Sequence, residues 1–160
     1  MKILRIYVDT SVIGGCFDIE FATWSLTLMN DFRKGRYKVV LSEVVAAEIG
    51  EAPEAVQRQY AELLSFSPEY IEVTEEALAL ADAYQRKGIL PAKFEDDMLH
   101  IALATIAEVD VLVSWNFRHI VHLDKIRLFN AVNLELGYKP LQIYSPREVS
   151  GYEEETNQSR

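Results

Sequence analysis

Five short runs of apolar, β-prone residues recur along the chain: Ile3–Val8, Tyr37–Leu41, Tyr70–Val73, Asp110–Ser114 and Leu141–Tyr144. Most show no alternation of polar and apolar positions. A strand with one wet face alternates, whereas a strand covered on both faces does not, so these runs predict the interior strands of a parallel sheet. Helical periodicity fills the gaps. Between Glu20 and Lys34, Phe21, Trp24, Leu28 and Phe32 fall on one stripe, and Arg33, Lys34 and Gly35 supply a basic last turn and a stop. Thr74 predicts an N-cap, with Glu75 and Glu76 in the first turn and Arg86, Lys87 and Gly88 at the close. Pro53 suits a first helical position. Two more helices are predicted, from Asp96 to Ala107 and from His122 to Leu136, the second ending at Gly137. Strands alternating with helices predict an α/β fold with a mostly parallel sheet. No internal repeat or low-complexity linker interrupts the pattern. Residues 1–150 therefore read as one domain, and the polar, acidic stretch 151–160 as a frayed tail.

Composition narrows the classes. A length of 160 residues suits one domain with a core that needs no staple. Cys16 is the single cysteine, which excludes a disulfide framework and a Cys-rich zinc module. Arg5 and Asp9 interrupt the only apolar stretch near the N-terminus, and no cleavage pattern follows it. The expectation is a cytoplasmic protein with no membrane association. The formal net charge is −9 and the pI about 4.8. That argues against a surface that grips nucleic acid by phosphate charge alone, but leaves room for carboxylates that hold divalent cations.

Three acidic regions stand in places that need explaining. Asp9 ends the first strand run and precedes Thr10 and Ser11. It can cap a helix or serve as a ligand at the mouth of the sheet. Glu48 shares a helical face with Val44 and Val45, so it must find a partner or shift its pKa. A buried ion pair with Arg or Lys competes there with a site role, while Glu43 and Glu51 read as solvated. Glu95, Asp96 and Asp97 open the next helix, where acids are ordinary dipole partners. Asp97 shares a face with Ile101 and Ala104, and Asp96 with Leu99 and Leu103, so spacing does not choose between them. Two carboxylates about 5 Å apart repel by roughly 3 kcal/mol at an effective dielectric near 20. Convergence of such groups therefore calls for protons or cations. Oxygen-only ligands favour Mg²⁺ or Mn²⁺, the usual apparatus of phosphodiester hydrolysis.

Three blocks together carry a family likeness. Tyr7-Val-Asp-Thr-Ser-Val12, Ser42-Glu-Val-Val-Ala-Ala-Glu48, and Asp97-Met-Leu-His-Ile-Ala-Leu-Ala104 followed by Val111-Leu-Val-Ser-Trp-Asn-Phe117 resemble the PIN domain. Within it they resemble the VapC-type toxin nucleases of bacterial toxin–antitoxin pairs. The resemblance runs from about Ile3 to Val149. It implies a three-layer α/β/α fold around a five-stranded, mostly parallel sheet. It also implies that Asp9, Glu48 and Asp97 are the catalytic, metal-holding acids, the alanine pattern at Ala102 and Ala104 selecting Asp97 over Asp96. The family's fourth acid matches Asn116, two residues after Ser114. An amide there offers a carbonyl oxygen without charge, which implies a weakened second metal site or altered activity. The remaining implications are Mg²⁺ or Mn²⁺ as cofactor, RNA as substrate, an antitoxin protein as partner and a homodimer.

Other residues carry paired readings. Ser11, Ser114, Arg118 and His119 are candidate substrate contacts; Ser11 equally suits a turn or cap, and His119 with Arg118 and Lys125 could meet RNA phosphate. His100, His119 and His122 could suggest zinc; His119 and His122 have helical spacing but no third ligand is evident, so the histidines otherwise read as surface or loop residues. Cys16 reads as a small core residue. Gly14-Gly15 reads as a turn or helix breaker without a phosphate-loop pattern. Trp115 could stack a base, with core packing as the default. The basic run Arg33, Lys34, Arg36 and Lys38 suits a solvated helix end as well as a nucleic-acid patch. Trp24, Leu28 and Phe32 suit core packing more simply than a dimer face. The reading that follows is a metal-dependent endoribonuclease, probed against a catalytically weakened module that binds RNA or a protein. A receiver-type phosphoacceptor fits poorly: Thr74 and Glu75 follow the third strand, and no lysine follows Tyr144.

Overall fold

The computed structural model describes residues 2–151. In chain order the elements are β1 (Arg5–Val8), α1 (Thr10–Gly14), α2 (Ala22–Arg33), β2 (Lys38–Ser42), α3 (Glu43–Gly50), α4 (Glu54–Leu64), β3 (Glu69–Ile71), α5 (Glu75–Arg86), α6 (Glu95–Ile106), β4 (Val111–Val113), α7 (Leu123–Glu135), β5 (Ile143–Tyr144) and α8 (Pro146–Val149). Short 3₁₀ turns at Gly15–Phe17 and Ala92–Phe94 precede α2 and α6. The five strands form one parallel sheet in the order β3-β2-β1-β4-β5.

The unalternating strand runs have the cause read from the sequence. Ile6 and Val8 face one layer and Tyr7 the other, and all three are fully buried. The same division separates Val39 and Leu41 from Val40, and Val113 from Leu112. One core layer is completed by Ala77, Leu80 and Tyr84 of α5, by α6, and by Phe129 and Val132 of α7. The opposite layer holds Val12 and Ile13 of α1, Leu28, Met29 and Phe32 of α2, and Val56 and Leu63 of α4. Each fully buried Leu, Ile or Phe contributes roughly 1.5–3 kcal/mol of apolar transfer. The stripe Leu28–Phe32 is thus spent on the core, and Trp24 packs against its edge.

Connectivity places the crevice. The chain leaves β1 toward β2 and β3, then crosses back over to β4 and β5. The reversal lies between β1 and β4, paired through Ile6–Val111, Tyr7–Leu112 and Val8–Val113. Ligand crevices open at such a switch point, beyond the carboxyl ends of the strands. Asp9 and Ser114 are the residues immediately past the two ends.

Several local expectations need adjustment. Pro53 is the N-cap of α4 rather than its first helical residue, with an extended ψ of 153°. Gly14 and Gly15 do not break the chain; both have helical torsions. Gly15 is required by contact, because a Cβ there would lie 2.6 Å from Trp115 Nε1 and 2.7 Å from Ser25 Oγ. Helices α1 and α8 are too short for periodicity to reveal. Thr74 caps α5 through Ala77 N–H, and Gly35, Gly88 and Gly137 stop helices with positive φ, as expected. The tail 152–160 lies outside the described residues. Gly151 donates its N–H to Asp31 Oδ2 at 3.0 Å. Among the described residues no single helix is long and apolar enough to cross a membrane.

Candidate active site

Asp9 is 4% exposed and serves both readings offered for it. It caps α1, accepting from Val12 N–H at 3.3 Å, and it stands at the switch point. Ser11 Oγ donates to its Oδ1 at 2.6 Å and Ser114 Oγ to its Oδ2 at 2.5 Å. The two serines are themselves fixed by main-chain donors. Trp115 N–H donates to Ser11 Oγ at 2.9 Å, and Asn116 N–H to Ser114 Oγ at 2.9 Å. Burial pushes the Asp9 carboxyl above its ordinary pKa, and the charge of His100 and the serine hydroxyls oppose that push.

Glu48 lies four residues after Val44, whose side chain joins the α5–α6 core layer, and so points the same way. Its partner is neither Arg nor Lys. His100 Nε2 lies 2.7 Å from Glu48 Oε1, and Thr10 Oγ1 donates to the same oxygen at 2.9 Å. A carboxylate accepts only, so Nε2 carries the hydrogen. The ring's Nδ1 lies 2.6 Å from Tyr7 Oη, which lies 2.7 Å from Ser42 Oγ. Ser42 also caps α3 through Val45 N–H. A hydrogen-bonded chain, buried from Ser42 to His100 and half-buried beyond, therefore runs Ser42–Tyr7–His100–Glu48–Thr10, tying β1, β2, α1, α3 and α6 together. Burial works against charge on His100, but Glu48's hydrogen bond and the charges of Asp9, Glu48 and Asp97 outweigh it and raise the imidazole pKa. Glu48 is also desolvated, yet His100 and Thr10 hold its carboxyl below the ordinary value.

Asp97 and Asp96 part company here. Asp97 turns toward the crevice and accepts from His119 Nδ1 at 2.9 Å. Asp96 is exposed beside a cavity of about 260 Å³ between α5 and α6, where desolvation and the charge of Glu48 raise its pKa. His119 is 8% exposed and packs against Phe94 at a centroid distance of 4.0 Å. It is thus a loop residue, as expected, but a buried one that partners Asp97, so the surface placement gives way. His122 is exposed.

Asn116 follows β4 and builds a turn. Its Oδ1 accepts from His119 N–H at 2.9 Å and from Arg118 N–H at 3.2 Å. The atom that would meet a cation is therefore engaged by two main-chain donors that bring His119 onto Asp97. The Arg118 side chain is exposed. Trp115 is a core residue, 7% exposed, with Nε1–H donating to Ser25 Oγ at 2.8 Å. Cys16 is buried, and burial pushes its thiol up to about 12. Two members of the basic run have other work: Arg33 pairs with Glu62, and Lys38 donates to Ser67 O.

Three residues of this site, Tyr7, Thr10 and Ser42, carry no site role in the sequence reading, and His100, read there as a surface or loop residue, is instead buried within α6. The signal for His100 is a polar residue inside the apolar run Met98–Ala104, three positions after Asp97. Oxygens dominate the donor set, and Asp9, Glu48 and Asp97 all act electrostatically on His100. That chemistry fits a hard divalent cation. The side chains now face protein donors, and among the described residues no group of three or more His, Cys, Asp or Glu stands close enough to hold a metal ion.

No family model matches the chain, and no curated protein does. A solved structure does: a chain in the crystal structure of VapBC2 from Rickettsia felis bound to a DNA fragment from their promoter. It aligns with a TM-score of 0.53 at 12% identity, covering 89% of this chain and 98% of that one. At that identity the likeness speaks for architecture, and this chain has the α/β, PIN-like fold built on a five-stranded parallel sheet.

Proposed function

We propose that the protein is a divalent-metal-dependent endoribonuclease, the toxin of a toxin–antitoxin pair. The observation that carries this reading is a buried His100, 2.7 Å from Glu48 and acted on by the charges of Asp9 and Asp97, at the switch point of a parallel sheet. The fold likeness to a chain of a VapBC2 assembly supports it. Asp9, Glu48 and Asp97 would hold Mg²⁺ or Mn²⁺. When bound, the cation supplies Lewis acidity and charge neutralisation to phosphodiester hydrolysis. The chain's own part is positioning. Ser11 and Ser114 fix both oxygens of Asp9. His100 and Thr10 aim Glu48, and Asn116 shapes the turn that sets His119 against Asp97. Asn116 thus acts through the loop in this reading, and Arg118 is left to meet phosphate. An antitoxin protein, a homodimeric state and a cytoplasmic setting belong to the same proposal.

One observation favours a second reading, a weakened module that binds RNA or a protein. Every site carboxylate already has protein donors, and the Asn116 oxygen is engaged. Cleavage of a mixed cellular RNA pool decides between them. Purified protein in Mg²⁺ and then Mn²⁺ gives discrete fragments that vanish with chelator and in Asp9→Asn. Folded protein that binds RNA without turnover in either metal overturns the nuclease reading in favour of the module.

A further inference from the structure

A cavity of about 340 Å³ opens on the α2 side of the sheet, next to the crevice but not part of it. Phe21, Trp24, Trp115 and Phe117 line it, with Arg147 and Glu148 of α8 at its rim. Trp115 is the wall shared with the site: its side chain lies on the cavity's lining, while its main-chain N–H holds Ser11, which holds Asp9. The indole itself is not open for stacking, because Phe21 lies on it at 4.1 Å with planes 16° apart. Phe117 takes that place. It stands edge-on to Trp115 at 6.1 Å and is 49% exposed, one residue past Asn116.

We infer that this cavity receives a nucleobase of single-stranded RNA next to the scissile phosphate, with Phe117 as the stacking face. The inference deepens the nuclease reading and rests on it for the choice of RNA. Three observations select a base. First, a net charge of −9 argues against RNA affinity drawn from phosphate attraction alone, so neutral contacts have to add to what Arg118 offers a phosphate. Second, Glu20 and Glu148 on the cavity's lining repel a phosphate but tolerate a flat neutral ring with N–H edges. Third, the cation that an aromatic cage would otherwise take from a peptide is already supplied, since the Arg147 guanidinium lies 5.1 Å from the Trp24 ring centroid. Trp115 therefore contributes as the support of the platform, and Phe117 as its working surface.

The test is binding of pentaadenylate, and of the same RNA with one abasic position, to full-length protein in chelator, followed by tryptophan fluorescence. Loss of the base that stacks on Phe117 weakens binding about tenfold in the wild type, as removal of one stacking contact does. Phe117→Ala loses the same factor for the intact RNA and becomes indifferent to the abasic position. Phe117→Leu, which keeps the apolar bulk but no ring, behaves like the alanine variant. Equal affinity of wild type and Phe117→Ala for the intact RNA overturns the inference and leaves the cavity to a protein segment. Because no cleavage is involved, a protein that fails to cut RNA yet shows this pattern loses the nuclease reading and keeps the base site. A protein that cuts with unchanged affinity in Phe117→Ala does the reverse.

Discussion

The two ends of the parallel sheet treat their acids in opposite ways. At the amino end, acids meet permanent cations. Arg5 makes a two-point pair with Glu69 at 2.6 and 2.8 Å and also donates to the carbonyls of Ala107 and Glu108. Asp110 accepts from Lys2 Nζ at 2.9 Å and from Arg5 N–H at 2.8 Å, which pulls its carboxyl below the ordinary range. At the carboxyl end, the partners recorded for Asp9, Glu48 and Asp97 among the described residues are hydroxyls, one main-chain N–H and two histidines. The first cluster is neutralised by the chain itself. The second is oriented but keeps a surplus of negative charge in a partly desolvated crevice, which a cation from outside would balance.

The strongest break of this comparison exchanges charge at each end. Asp9→Asn is expected to lower metal-dependent RNA cleavage by about 100-fold or more. Without metal its stability in urea stays equal or rises, because burial already disfavours the Asp9 charge. Arg5→Ala is expected to leave cleavage intact and to cost about 1 kcal/mol of stability, the scale of a partly exposed pair with supporting hydrogen bonds. Next in size is His100→Gln. It replaces the rigid, chargeable ring that aims Glu48 with a flexible neutral amide and is expected to weaken Mn²⁺ binding by roughly 10–100-fold, read by calorimetric titration. Gly15→Ala pushes a methyl group into Trp115 and Ser25 and is expected to cost about 1–3 kcal/mol in a urea titration.

The smallest expected effect is the pH dependence of the metal-free protein. His100 is raised above its ordinary 6.5, so its contribution is full below that pH and fades as pH rises through the folded value. Glu48 is lowered below its ordinary 4.5, so its contribution is present above that pH and fades as pH falls through the folded value. The stability difference between wild type and His100→Gln is therefore greatest between about pH 4.5 and 6.5. Asp9 works the other way: raised above 3.8, it costs stability as pH climbs through its folded value.

Much of the fold was legible because burial on both faces writes itself as apolar runs, and because Thr74, Gly88 and Gly137 mark helix ends by local chemistry. Pro53 was misplaced by one residue because the first helical position and the N-cap both accept its fixed φ. The acids Asp9, Glu48 and Asp97 were visible as carboxylates on apolar faces or strand ends; in the structure Glu48 meets His100, Asp97 meets His119, and all three act electrostatically on His100. Their partners were not visible. Nothing local in Tyr7 announces that its hydroxyl reaches His100, because that contact spans 93 positions and exists only after β1 and α6 pack. Asn116 showed its chemistry but not its use, since only the folded turn reveals which donors its oxygen meets. The cavity beside Trp115 likewise needs α2, α8 and the segment after β4 in one place.

The most direct measurement is Mn²⁺ binding followed by electron paramagnetic resonance on folded wild type, Asp9→Asn and Arg5→Ala. The account predicts that wild type and Arg5→Ala bind Mn²⁺ alike and that Asp9→Asn loses the site. Equal binding by all three, or none by the folded wild type, would contradict the claim that the carboxyl-end acids are arranged for a cation.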